Sequence, residues 1–387
     1  MLGTYRLALA LLVALSHVGV SIAGLNPGVV AVVGFYLVSG YVMTGLLRAH
    51  YRQSGGVGAF YLDRFLRLFP HYLSVAAITC AWFVLTGAHT EYLRIRPTIG
   101  NLVENALVVP LNFYMFNHSD EFTLIPPAWS LGAEIQFYLV IPLLLLPGDR
   151  RLRLTAFGVS VGVYLFAASG IISSDFYGYR LLPGVLFMFL LGSFLYDMHQ
   201  LGERRANQVP IFVIVATAGI ASSLHFAGKL ALPYNRETMI GLVLGVVALH
   251  LLGHLRRRSI DDAIGNLSYG VFLNHFLVMW VFFDGRVVGL GATIGYLGAS
   301  VLIAFLMYWS VERPVLVLRK ALRQTMSTAR TEVSAPAPGV GRFTHSSSDS
   351  SGGSPICNTR QYISTSVSTS KASANAASSD DPTAILP

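Results

Sequence analysis

Residues 126–147 read PPAWSLGAEIQFYLVIPLLLLP, twenty-two positions with one charged side chain, Glu134. A hydrocarbon core about 30 Å thick is crossed by about 20 such residues in a helix. Nine further apolar runs lie at about 7–24, 28–47, 71–87, 154–171, 180–198, 210–227, 237–254, 267–283 and 292–311. The runs are continuous rather than alternating, so helices are expected and a membrane barrel is not. The composition agrees: 53% of the chain is hydrophobic, 12% is charged and the mean hydropathy is +0.58. A soluble domain carries about 25% charged residues. The apolar content also excludes disorder for most of the chain. Two distant cysteines, Cys80 and Cys357, exclude a disulfide scaffold. The expected fold is an all-α polytopic membrane protein with about ten transmembrane helices.

The basic residues orient those helices. With a cytosolic N-terminus, the inner side collects Arg6, Arg48, Arg52, Arg64, Arg67, Arg150, Arg151, Arg153, Arg204, Arg205, Arg256, Arg257, Arg258, Arg313, Arg319, Lys320 and Arg323. The outer side collects only Arg94, Arg96, Arg180, Lys229, Arg236 and Arg286. Seventeen against six fits the tendency of cytosolic loops to be basic, and both termini are therefore expected in the cytosol. The net charge of +8 reads as topology, with no nucleic-acid partner implied. The long outer segment 88–127 has an apolar stretch expected on, or dipping into, the membrane surface. From Ser327 onward 22 of 61 residues are Ser or Thr and the apolar periodicity ends. The chain thus divides into a transmembrane domain, 1–326, and an expected disordered cytosolic tail, 327–387. Arg6, the apolar run and Ser21-Ile22-Ala23 also resemble a cleavable signal peptide.

Within the spans, the polar residues are the candidates for chemistry. Arg6 and His17 are eleven residues apart, about 20° past three full turns, so both lie on one stripe. The rise of about 16 Å takes His17 from a cytosolic-edge arginine to about mid-bilayer. A neutral imidazole there is a general base for a hydroxyl, although a histidine bonding a neighbouring helix has the same signature. Arg64 and Arg67, in FYLDRFLRLFPHYL, share a helix face at the inner mouth. Two guanidinium forks suit a polyphosphate, and simple positive-inside anchoring suits them as well. Pro70 predicts a break between an inner amphipathic helix, 58–68, and the span that follows. Glu134 could pair with an arginine, orient His17 or satisfy a backbone donor. Trp129 and Tyr138 could be interfacial belt residues. His275 is a second mid-span histidine, and Glu312-Arg313-Pro314 closes the last span. No nucleophile elbow, phosphate-binding loop, HExxH or Cys/His metal spacing occurs, so no metal is expected. The 37 glycines fit close helix packing.

Six phrases in order resemble the acyltransferase 3 family of integral membrane O-acyltransferases. They are Arg6-x10-His17; GFYLVSGYVMTG around Ser39-Gly40; Arg64-x-x-Arg67 with Pro70; Trp129-Ser130-Leu131 with Glu134, Gln136, Phe137 and Tyr138; Ser268-Tyr269 with Leu273 and His275; and Val311-Glu312 with Pro314. Their spread from residue 6 to residue 314 argues against signal cleavage. The chain departs from the family pattern at Val33, Ile135 and Asn274, which touches details of the site rather than membership. The resemblance implies transfer of an acyl group, often acetyl, from cytosolic acyl-CoA to a hydroxyl of a glycan, a lipid-linked sugar or a small molecule. It implies His17 as base, or as covalent relay, in the catalytic group with Arg6 and Glu134. It implies Arg64 and Arg67 at the acetyl-CoA phosphates, with Ser39, Trp129 and His275 as further site residues. Some members carry a hydrolase-like domain after the membrane part, and the tail here is too short and Ser-rich to be one. A polysaccharide or lipopolysaccharide unit met at a bacterial inner membrane is the first expectation, with membrane lipids around the bundle. Modification of a small exported molecule, or a non-catalytic carrier or acyl conduit, is the alternative.

Overall fold

The computed structural model describes residues 1–51, 56–253, 255 and 259–319. Arg52, Arg256, Arg257, Arg258, Lys320, Arg323 and the 327–387 tail, all used in the sequence reading, lie outside the described residues. The first helices are α1 (Leu2–His17), α2 (Pro27–His50), α3 (Gly56–Thr86) and α4 (Ile99–Leu107). The middle of the chain forms α5 (Tyr114–Asn117), α6 (Ala128–Leu145), α7 (Arg150–Ala168) and α8 (Leu182–Gln200). The rest forms α9 (Glu203–Ala206), α10 (Gln208–Phe226), α11 (Asn235–Gly253), α12 (Ser259–Phe283) and α13 (Leu290–Met307). Extended pairing among the described residues is limited to isolated bridges. The protein is therefore all-α and polytopic.

Nine helices among the described residues are long and apolar enough to cross a membrane, and α1 is a shorter apolar helix. It ends at His17 rather than at residue 24. Its 16 residues rise about 24 Å, less than a hydrocarbon core. His17 is the last residue of α1. Pro70 does not break the third span: α3 runs unbroken from Gly56 to Thr86 with Pro70 inside it. A proline costs a membrane helix less than a soluble one, because neighbouring groups re-satisfy the freed backbone.

α2 is the central helix, buried along most of its length and packed by α1, α6, α8 and α11. Small residues set these crossings. A Cβ added at Gly40 would stand 1.8 Å from the Phe189 carbonyl oxygen on α8, and one at Gly192 would stand 2.0 Å from that of Leu37. At the inner end Asp261 receives the backbone amides of Gly3 and Thr4 at 3.0 and 2.8 Å and the Thr4 hydroxyl at 2.7 Å, fixing α1 on α12. Asp197 joins α2, α7 and α8 by accepting from Arg48 at 2.8 Å and Arg153 at 2.7 Å. Two arginines of the topology count are thus also structural.

The outer segment folds over the bundle. Helix α4 turns Ile99, Leu102, Val103 and Leu107 outward as an exposed apolar stripe, in keeping with a membrane-surface position. Behind it Asn105 and Asn112 are buried. Asn112 donates to the carbonyls of Trp129 at 3.0 Å and Arg180 at 3.1 Å, and accepts from Gln136 at 2.9 Å. Of the departures from the family pattern, Val33 packs against Gly241, and the Asn274 amide donates to the Ser300 carbonyl at 3.0 Å.

Candidate active site

Helices α1, α2, α6 and α12 border two cavities stacked along the bundle, and α3 adds to the wall of the inner one. The inner one, about 100 Å³, is lined by Arg6, Ser39, Arg64, Arg67, Glu134 and Tyr269, among others. The outer one, about 370 Å³, is lined by His17, Tyr92, Tyr114, Trp129, Arg180 and Tyr234, among others. Val32, Ser130 and Phe272 line both, and so mark where the two chambers meet. The α1 stripe explains the alignment: Arg6 faces the lower chamber and His17 the upper one, about 16 Å further along the same face.

The inner chamber rests on buried ion pairs that the sequence reading did not assign. Arg64 donates to Asp63, its chain neighbour, and lies over the Tyr138 ring at 5.9 Å. Arg319 donates to the same carboxylate at 3.1 and 3.4 Å. Arg67 pairs with Glu312, whose second oxygen lies 3.4 Å from His71, and stands 5.6 Å from the Tyr269 ring. The Glu-Arg-Pro that closes the last span thus supplies the counter-charge for the third. Pairing of this kind offsets the large cost of burying each charge.

Among the described residues Glu134 takes hydroxyl partners and makes no hydrogen bond to an arginine, to His17 or to a backbone amide. Its carboxylate accepts from the hydroxyls of Ser39, at 2.7 Å, and Tyr138. It faces the inner chamber, whereas His17 lines the outer one. An acceptor this deep in an apolar bundle is satisfied by the nearest donors, here two hydroxyls one turn or one helix away. Nor are the aromatics interfacial belt residues. Tyr138 is buried on Glu134, and Trp129 lines the outer cavity with its ring 4.5 Å from the Arg180 guanidinium.

His17 is exposed to the outer cavity. Its ring stacks on that of His275, with centroids 5.4 Å apart and planes 23° from parallel, and packs on Phe276 at 4.6 Å. His275 is fully buried behind it. The His275 Nδ1–H donates to the Val271 carbonyl at 3.0 Å, leaving Nε2 as an acceptor with no hydrogen-bond partner among the described residues. The structure therefore gathers Arg6, Ser39, Arg64, Arg67 and Glu134 in one chamber, and His17 and Trp129 in the next. His275 supports His17 without lining either chamber.

Sequence reasoning missed Asp63, Asn112, Arg180 and the shared wall of Val32, Ser130 and Phe272. Asp63 had a visible signal, since it directly precedes Arg64 in DRFLR. Arg180 had one too: an arginine on the sparsely basic outer side, in FYGYR. Among the described residues no group of three or more His, Cys, Asp or Glu is arranged to hold a metal.

A multi-pass helical bundle that encloses two such chambers, one bearing arginines and the other a histidine, defines an integral membrane protein with an internal reaction or binding site. The chain belongs to the acyltransferase 3 family, whose acyltransferase-domain model matches residues 5–309. It is thus a multi-pass membrane acyltransferase. An uncharacterized protein of Aquifex aeolicus is 41% identical over 160 residues, covering 41% of this chain and 71% of that protein. The exopolysaccharide production protein ExoZ of Rhizobium meliloti is 25% identical over 306 residues, covering 76% and 92%. Nodulation protein 10 of Rhizobium leguminosarum bv. viciae is 23% identical over 329 residues, covering 76% and 83%. No solved structure gives a significant match.

Proposed function

We propose that this protein is an O-acyltransferase of the bacterial inner membrane. It moves an acyl group, acetyl in the first instance, from cytosolic acetyl-CoA to a hydroxyl of a surface polysaccharide or lipopolysaccharide unit. The observation that carries this reading is the stack of two chambers with Arg6, Arg64 and Arg67 on the inner one, His17 on the outer one and a common wall between. A polysaccharide acceptor is supported by the relative that bears the name exopolysaccharide production protein and aligns over 92% of its length.

The roles follow from the placement. The phosphates of the donor meet the three arginines, of which Arg64 and Arg67 are held in fixed orientation by Asp63 and Glu312. The thioester end points along α1 toward the junction at Val32, Ser130 and Phe272. The acceptor enters the outer chamber and presents a hydroxyl to His17. As the acceptor oxygen attacks the thioester carbonyl carbon, His17 takes the hydroxyl proton. The carbon–sulfur bond then breaks, and the leaving CoA sulfur receives that proton. Glu134, held by Ser39 and Tyr138, balances the arginine charge and acts at no reacting atom.

The test is purified protein in nanodiscs with labelled acetyl-CoA and a polysaccharide acceptor. A general base contributes about 100- to 10,000-fold. His17→Ala is therefore expected to lower transfer by at least about 100-fold while CoA binding and melting stay as in the wild type. Unchanged transfer in that variant removes His17 from the chemistry. Failure of the wild type to label any polysaccharide overturns the acceptor assignment.

A further inference from the structure

Arg180 stands on the outer side of the bundle, where basic residues are few, and the acyl-transfer steps give it no task. Its surroundings hold it in one place. It ends the π-helical turn Phe176–Arg180, a local form often found at functional sites. Its Nε donates to Asp175 at 2.6 Å. Its guanidinium carbon lies 4.5 Å from the Trp129 ring centroid, 5.2 Å from Tyr179, 5.4 Å from Tyr114 and 5.6 Å from Tyr234. Asn112 secures the backbone of both Arg180 and Trp129 from below.

The Asp175 contact uses one of five guanidinium N–H groups. The two terminal nitrogens make no hydrogen bond to the described protein, although Arg180 lines the same cavity as His17. A purely structural arginine this well caged would be expected to spend its fork on carbonyls. An open, rigid fork matches a carboxylate or a phosphate, two planar N–H bonds to two oxygens. The other charged groups lining the cavity do not fill that role. Asp120 is paired with Arg94 at 2.7 Å, and Glu91 is exposed.

We propose that Arg180 binds an anionic oxygen group on the acceptor, a carboxylate or a phosphate, so that the outer chamber selects negatively charged glycan units over neutral ones. This rests on the proposed function only in taking the outer chamber as the acceptor's. The carboxylate would come from an acidic sugar, and the phosphate from a lipid-diphosphate carrier.

Binding without an acyl donor tests it, using calorimetry on the full chain in nanodiscs. The probes are a glucuronate-terminated disaccharide, its neutral glucose counterpart, and farnesyl diphosphate. In the wild type at least one anionic probe is expected to bind about tenfold or more tighter than the neutral disaccharide, a factor that corresponds to about 1.4 kcal/mol. Which anionic probe binds identifies the source. Arg180→Gln is expected to bring the preference to within about twofold, and Arg180→Lys, a point charge without the fork, to leave an intermediate value. Equal affinities in the wild type, no binding of either anionic probe, or a preference retained in Arg180→Gln each overturn the proposal. The wild-type comparison decides even if Arg180→Gln does not fold. Loss of the transferase reading in the labelled acetyl-CoA assay would leave this binding result standing, so the two failures are distinguishable.

Discussion

Asp63→Asn offers the sharpest test of how the inner chamber is held together. Asp63 is fully buried and accepts from both Arg64 and Arg319. Asparagine keeps its volume and removes its charge. Removing one partner of a buried ion pair costs about 3–5 kcal/mol, and two guanidiniums share this carboxylate, which places the loss in the upper part of that range. The asparagine carbonyl retains one acceptor and offsets about 1 kcal/mol. The net expectation is about 3–4 kcal/mol. At about 2 °C per kcal/mol for a chain of this size, melting should fall by about 6–8 °C. The assay is thermal unfolding of the detergent-purified protein with and without coenzyme A. At a hundred times its Kd, coenzyme A stabilises a protein by about 2.7 kcal/mol. Its shift should be larger in Asp63→Asn than in the wild type, because donor phosphates supply the missing negative charge. A variant that melts within about 1 °C of the wild type would refute the shared-carboxylate account. Equal coenzyme A shifts in both proteins would refute the seating of the donor phosphates on this cluster.

Two further outcomes follow from packing and burial. Gly40→Ala drives a Cβ to 1.8 Å from the Phe189 carbonyl oxygen, where backbone must move, and should cost about 1–3 kcal/mol. Gly219→Ala on α10, with nothing within 4 Å, should be neutral or slightly stabilising, and thermal unfolding of the two variants side by side checks the contrast. In the outer segment, burial pushes the Tyr114 phenol up to about 12. Since the unfolded phenol ionises first, near pH 10, Tyr114 contributes stability that is fully present below that pH. This contribution is lost as the pH rises toward 12. Phenolate absorbance followed against pH in the wild type and Tyr114→Phe should show one late-titrating group missing from the variant.

The helical spans and the polar residues within them were legible because each depends on local pattern. A continuous apolar run must be a helix in lipid, and the basic loops mark its inner end. The 11-residue interval between Arg6 and His17 fixes a common face whatever the neighbours are. The partners were less legible. Asp63 was not singled out, because its second partner, Arg319, lies 256 positions away. Glu134 had three plausible partners by sequence, and among the described residues its hydrogen bonds come instead from the donors nearest in space, Ser39 on α2 and Tyr138 one turn along. Pro70 carries a helix-breaking signal that surrounding helices override. A reader of the sequence sees no surroundings.

By itself, the sequence determined a polytopic helical bundle and the stripe that joins an arginine to a histidine about 16 Å along one helix face. Those are consequences of hydration cost and helical geometry, which act residue by residue. Only the tertiary structure decided that the polar residues divide into two chambers meeting at Val32, Ser130 and Phe272, and that Arg180 stands caged in the outer one. A cavity is the space left by four or more helices packed against one another. Its lining is therefore set by crossings such as Gly40 on Phe189, and no single segment encodes it.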